Sequence, residues 1–223
     1  MNSEKPILYN YFRSSSSWRV RIALELKKIE YEYKPINLIK EGGEQFTEEY
    51  TKINPKQEVP ALKIDGQLLV QSLPIIEYLD ETRPDGVQLI PKDPIKRVKA
   101  RIIAEIINSG IQPYQNANVI KKIAQETQSE EKKMEWIKFY LTKGFRAIES
   151  ALVESSGKYC VGDEITIADL CLVPQVYSAF RFNIDLTDFP NVRRVYAELE
   201  KVPEFIKAHA HRQIDTPSEL REN

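Results

Sequence analysis

Between residues 7 and 82 the apolar positions switch repeatedly between a period of two and a period near 3.6. Ile7 to Tyr11 is a β-rich run. From Trp18 on, Trp18, Ile22, Leu26 and Ile29 recur at helical spacing with charges between them. Tyr31 to Ile36 then alternates as a strand does. A strand, a helix and a strand in that order predict parallel strands joined by a right-handed crossover. The stretch from Lys40 to Pro55 is polar and interrupted by Gly42-Gly43. Val59 to Ile64, Asp65-Gly66 and Gln67 to Val70 predict a hairpin on a two-residue Asp-Gly turn. Ser72 as N-cap and Pro74 in the first turn open a helix through Ile75, Ile76, Tyr78 and Leu79.

The pattern changes at Arg83-Pro84-Asp85-Gly86 and stays broken through Pro91 and Pro94, which predicts a linker. Beyond it the chain reads as helical. Val98 to Ile107 is one candidate. Lys132 to Leu152 is a longer one, with Trp136, Phe139-Tyr140, Gly144 and Ala147-Ile148 marking its buried face. Thr166 followed three residues later by Asp169 predicts a capping box with Asp in place of the usual Glu or Gln. The polar tail from Asp215 is expected over the surface.

Composition narrows the class. The chain has 223 residues, 32 basic and 33 acidic, and a net charge of −1. That balance gives no footprint for nucleic acid or an anionic membrane. No run is long enough to span a bilayer, and the polar start at Met1 to Pro6 lacks the apolar stretch of a signal peptide. A cytoplasmic location is the expectation. Two cysteines, Cys160 and Cys171, are too few for a disulfide framework and sit among apolar neighbours, where thiols are inert. His209 and His211 form a His-x-His, but no Cys or Asp-rich cluster adds ligands, so no metal is expected.

The candidate chemistry lies in Ser14-Ser15-Ser16-Ser17, between the first strand and an arginine-bearing helix. Hydroxyls and N–H groups at a helix N-terminus suit an anion. Taken alone, the serines read rather as a plain capping turn, since Ser is a common capping residue. In context they continue as Trp18-Arg19-Val20-Arg21. Further strings are Pro35-Ile36-Asn37-Leu38, Val59-Pro60, Gln71-Ser72, Gly110-Ile111-Gln112-Pro113, Tyr159-Cys160-Val161-Gly162-Asp163-Glu164, Ala168-Asp169-Leu170-Cys171 and Asp215-Thr216-Pro217-Ser218-Glu219-Leu220. Across almost the whole chain this set resembles the cytosolic glutathione transferases, most closely the zeta class, also known as maleylacetoacetate isomerase. The resemblance implies an α/β thioredoxin-like N-terminal domain, residues 1–84, plus an all-α C-terminal domain, residues 93–223. One position departs from the family's Ser-Ser-Cys-Ser signature: Ser16 replaces the cysteine.

What the resemblance implies is specific. Glutathione is the cofactor, and its thiolate is stabilised by Ser14, helped by Ser15 or Ser16. A free thiol with a pKa of about 8.5 is only ~3% ionised at neutral pH. Lowering that pKa by about 2 units takes about 2.7 kcal/mol, within reach of charge-assisted hydrogen bonds worth roughly 1.5–3 kcal/mol each. A cis Val59-Pro60 bond would present the Val59 backbone to the tripeptide. The start of the helix at Gln71 and Ser72 would take its γ-glutamyl carboxylate. Gln45, Gln112 and Asn116 match further glutathione contacts. Arg13, Arg19 and Arg181 are candidates for the substrate's carboxylates.

The implied reaction is addition of the thiolate to the cis double bond of maleylacetoacetate, rotation, and departure of the thiolate to give fumarylacetoacetate, in phenylalanine and tyrosine breakdown. A homodimer is implied as well. Two alternatives stand beside it: a transferase or dehalogenase acting on α-haloacids or other electrophiles at the same site, and a non-catalytic module that uses the fold for protein contacts, against which Ser14, Gln71 and Ser72 argue.

Overall fold

The computed structural model describes residues 4–222; Met1 to Ser3, part of the polar start, and Asn223 lie outside them. The chain forms two compact units, one built from the chain up to Leu89 and from Val202 on, the other from Ile90–Lys201.

The first unit contains a four-stranded sheet of β1 (Ile7–Asn10), β2 (Glu32–Pro35), β3 (Ala61–Ile64) and β4 (Gln67–Val70), in the order β2-β1-β3-β4. β1 and β2 are parallel, as a crossover through α1 (Ser15–Leu26) requires. β3 is antiparallel to both β1 and β4. Asp65 and Gly66 turn the β3–β4 hairpin with φ of 53° and 74°, the left-handed pair that a two-residue turn needs. A short α2 (Glu48–Ile53) precedes β3, and α3 (Ser72–Thr82) follows β4. Leu8, Ile22, Leu24, Leu62, Ile75, Ile76 and Leu79 are fully buried between sheet and helices. This is the thioredoxin-like arrangement.

One ion pair is sealed into this core. Lys27 Nζ lies 2.6 Å from Asp80 Oδ1, with side-chain exposures of 0% and 5%. Lys27 also donates to the Arg83 carbonyl at 3.0 Å, and Asp80 accepts the Leu89 N–H at 2.8 Å. The ends of α1 and α3 and the start of the linker are thereby held at one point.

The second unit holds α4 (Pro94–Gly110), α5 (Ala117–Thr127), α6 (Glu130–Ser155), α7 (Ile167–Arg181) and α8 (Pro190–Leu199). α7 is buried along nearly its whole length and packs on α4. Its capping box is present: Thr166 N–H donates to Asp169 Oδ2 at 2.8 Å. Asp169 Oδ1 also accepts the Cys160 N–H at 2.9 Å. Burial pushes the carboxyl of Asp169 up, against those hydrogen bonds. Among the described residues no helix is long and apolar enough to cross a membrane.

Three expectations need correction. The buried stripe of α6 is Ile137, Leu141, Gly144, Phe145, Ile148 and Leu152; Phe139 is 60% exposed and Ala147 is also exposed. The reason is helical phase, since the true stripe repeats at three and four residues and Phe139 falls between its rows. The C-terminal segment does not belong with the helical unit: α9 (Pro203–Lys207) packs on α1, and Lys207 Nζ pairs with Glu25 at 2.6 Å. The tail lies over the surface only in part: Ser218 to Glu222 are exposed, but Thr216 is buried and Asp215 reaches into the first unit.

Candidate active site

Ser14 is the N-cap of α1, with extended backbone (φ −67°, ψ 116°). Its Oγ accepts the Ser17 N–H at 3.2 Å, which satisfies one of the orphan donors of the first turn. The N–H groups of Ser15 and Ser16 precede any intrahelical acceptor, and the positive end of the helix dipole lies at the same place. A hydroxyl that accepts through a lone pair still has its proton to donate. Ser14, Ser15 and Ser16 are all partly exposed, whereas Ser17 is buried.

The second helix start is that of α3. The expected N-cap, Ser72, is instead the first helical residue, and the cap is Gln71, whose side chain makes no capping bond. Gln71 has φ 70° and ψ 125°, a left-handed backbone that costs on the order of 1–3 kcal/mol for a residue other than glycine. Ser72 is buried, and its Oγ accepts from Arg19 Nη1 at 3.1 Å.

Arg19 is thus misread as a substrate contact. It is fully buried, and its guanidinium links the second turn of α1 to the first turn of α3. Arg13 is partly exposed, its guanidinium 5.7 Å from the Phe12 ring centre. The Val59-Pro60 peptide is cis and leads into β3. Gln45 is buried; its Nε2 donates to the Leu38 carbonyl at 3.4 Å, while its Oε1 is a buried acceptor without a partner among the described residues.

Three predicted residues lie in the helical unit. Gln112 opens the short 3-10 turn after α4, and Asn116 caps α5 by accepting the Asn118 N–H at 3.0 Å. Between them Gln115, not predicted, pairs with Gln175 through reciprocal amide bonds of 2.9 and 3.3 Å. Arg181 is exposed at the end of α7, with its guanidinium 4.3 Å from the Phe182 ring centre.

Elsewhere, Glu222 comes against the two histidines: His211 Nδ1 is 3.0 Å and His209 Nδ1 3.8 Å from its carboxylate. Sequence spacing gave no sign of this third group. Burial pushes His209 down to about 4, opposed by Glu222. Burial pushes the Cys160 thiol well up, and Asp169 adds to this. A cavity of about 670 Å³ lined by Glu25, Lys28, Tyr31, Tyr33 and Lys207 is also present; none of the predicted site residues lines it.

The first unit is thioredoxin-like and presents N–H groups and hydroxyls at two helix starts, which suits the binding of anions. Residues 13–82 match the family model for the glutathione S-transferase N-terminal domain, and residues 115–212 match that for the C-terminal domain. Maleylacetoacetate isomerase of Mus musculus is 55% identical over 99% of this chain and 100% of its own length. A zeta-class glutathione S-transferase of Euphorbia esula is 43% identical over 97% of this chain and 95% of its own. The crystal structure of maleylacetoacetate isomerase from Anaeromyxobacter dehalogenans with bound glutathione superposes with a TM-score of 0.86 at 40% identity, covering 96% of this chain and 98% of that one. The chain belongs to the glutathione S-transferase family, and within it to the zeta class.

Proposed function

We propose that the chain is a glutathione-dependent cis–trans isomerase that converts maleylacetoacetate to fumarylacetoacetate, with glutathione transferase activity, in phenylalanine and tyrosine breakdown. Its relatives of 50–55% identity that bear the isomerase name support this reading. The observation that carries it is the Ser14 cap, whose oxygen is satisfied by Ser17 N–H while its proton stays available beside two N–H groups.

The residues fit glutathione. Bound there, the tripeptide supplies a thiolate nucleophile that is regenerated at the end of the cycle. Ser14 Oγ donates to the sulfur, and the first turn of α1 adds its dipole, worth about 0.3–1 kcal/mol. The start of α3 receives a carboxylate through its N–H groups. Gln45 Oε1, a buried acceptor lacking a partner among the described residues, suits an amide N–H or ammonium of the tripeptide. Arg13, on the same turn as Ser14, is the cation assigned to a substrate carboxylate. Gln112 and Asn116 remain assigned to glutathione and Arg181 to substrate, on the family resemblance. A cytoplasmic homodimer is part of the same proposal, and sedimentation equilibrium tests the dimer.

The deciding experiment is isomerisation of maleylacetone with and without glutathione, for the protein itself, Ser14→Ala and Ser16→Cys. Glutathione-dependent turnover that falls sharply in Ser14→Ala supports the proposal. Turnover confined to Ser16→Cys overturns it and makes α-haloacids the substrates to test next.

A further inference from the structure

Phe12, two residues before Ser14, has both its backbone N–H and its backbone carbonyl held by charged side chains, one of them from the far end of the chain. Its N–H donates to Asp215 Oδ2 at 2.9 Å, across 203 residues of sequence. Its carbonyl accepts from Arg21 Nη2 at 2.8 Å. The Tyr11 carbonyl accepts from Arg21 Nη1 at 3.3 Å and from the Ser14 N–H at 3.0 Å. Arg21 is fully buried, and its Nε donates to the Ala208 carbonyl at 3.1 Å. Asp215 Oδ1 accepts the Tyr33 hydroxyl of β2. Burial, reinforced by the Asp215 bond, pushes the Tyr33 hydroxyl far up and keeps it a donor, although Arg21 acts the other way.

The tail is itself anchored where it delivers Asp215. Gln213 Nε2 donates to the carbonyls of Lys207 and His209 at 3.1 and 2.8 Å, and Thr216 Oγ1 donates to that of Ala210 at 2.6 Å. From these contacts we infer that Asp215 is a positioning residue for catalysis. Together with Arg21 and Tyr33 it clamps the Tyr11–Ser14 turn and so sets where the Ser14 hydroxyl points. This rests on the glutathione site proposed above and deepens it. Tyr11 and Phe12 are buried and packed edge-on, but Arg13 and Ser14 are partly exposed, so the backbone bonds at Tyr11 and Phe12 are what fix the turn at its serine end. Catalytic donors misplaced by an ångström lose much of their effect.

The clamp makes demands on chemistry that a merely structural tail does not. Asp215→Ala leaves Phe12 N–H and Tyr33 without their acceptor. Asp215→Asn keeps an acceptor oxygen for one of them, and Tyr33→Phe removes only the tyrosine's hold. The test measures amide hydrogen exchange over Tyr11–Ser17 in the glutathione-free protein, urea stability, and the pH profile of glutathione-dependent maleylacetone isomerisation, with Ser14→Ala in parallel.

We expect faster exchange over Tyr11–Ser17 in Asp215→Ala. Its rate-controlling thiol pKa should rise by about one unit, which is up to tenfold less thiolate below the pKa. Asp215→Asn and Tyr33→Phe should show smaller changes in the same order. Unchanged exchange over that segment in both Asp215→Ala and Tyr33→Phe overturns the clamp. So does an activity loss with an unshifted pH profile that only follows the unfolded fraction. If Ser14→Ala keeps full activity, the Ser14 assignment itself fails, while the exchange data still judge the clamp by themselves.

Discussion

The guanidinium of Arg19 donates to the hydroxyl of Ser72 across 3.1 Å, with both residues buried, and so links α1 to the first turn of α3. The two helix starts that form the candidate site are therefore not independent. Arg19→Ala should destabilise the protein by at least about 1.5–3 kcal/mol, the worth of a hydrogen bond to a charged group. Arg19→Lys should not restore it, because a point charge cannot replace the planar fork. Urea unfolding checks the stability. A rise in the KM for glutathione without a matching rise for maleylacetone checks that Arg19 acts through α3 rather than on substrate.

Ser14→Ala removes both the cap and the donor. The lost cap should cost about 1 kcal/mol of stability. The lost charge-assisted bond should raise the pKa of the bound thiol by about 1–2 units, the equivalent of roughly 1.5–3 kcal/mol. Ultraviolet titration of the thiolate in the glutathione complex reads the shift directly. Ser14→Thr should keep most of the effect.

The Lys27–Asp80 pair is sealed from water, so removing one partner strands the other. Asp80→Ala should cost about 3–5 kcal/mol, well beyond a surface ion pair. The loss should exceed that of breaking the exposed Lys52–Glu48 pair, where about 0.5 kcal/mol is the ordinary ceiling. Chemical denaturation of the two variants makes the comparison.

His209 gives the stability a pH dependence. It packs edge-on against Trp18, with ring centres 4.8 Å apart, and faces Glu222, His211, Arg21 and Arg212. Burial lowers it from 6.5 to about 4, so the unfolded chain takes up a proton over a range where the fold does not. The stabilisation is therefore full above about pH 6.5 and lost as the pH falls towards about 4, at most about 3 kcal/mol in all. The wild-type stability minus that of His209→Gln should decline across this window, and flat behaviour there would refute the assignment.

Gly144 of α6 lies close against Ile111, the residue after α4. A Cβ at that position would stand 2.2 Å from Ile111 Cγ1, and Ile111 is fully buried with no room to retreat. Gly144→Ala should lower stability by about 1–3 kcal/mol despite alanine's better helix propensity. Ile111→Val or Ile111→Ala in the same chain should recover part of the loss.

Much of the architecture was legible along the chain because it rests on contacts between near neighbours. The Asp65-Gly66 turn, a serine cap on α1 and the Thr166–Asp169 box each join residues no more than four apart, and each is present. The α6 stripe was misplaced because aromatic residues at 139 and 140 suggest burial, while the true stripe is set by which face meets α4 and α8. Arg19 was a candidate for a substrate carboxylate, since a charge carries no local mark of burial.

By itself the sequence determined the order of strands and helices in the first unit and several of the helices beyond it, since propensity, period and capping act within a few residues. Only the tertiary structure decided that the chain from Val202 returns to the first unit, that Arg19 supports α3, and that Asp215 and Arg21 hold the turn before Ser14. Those polar bonds join residues up to 203 positions apart, and no local pattern distinguishes an aspartate that will be drawn into a fold from one left in water.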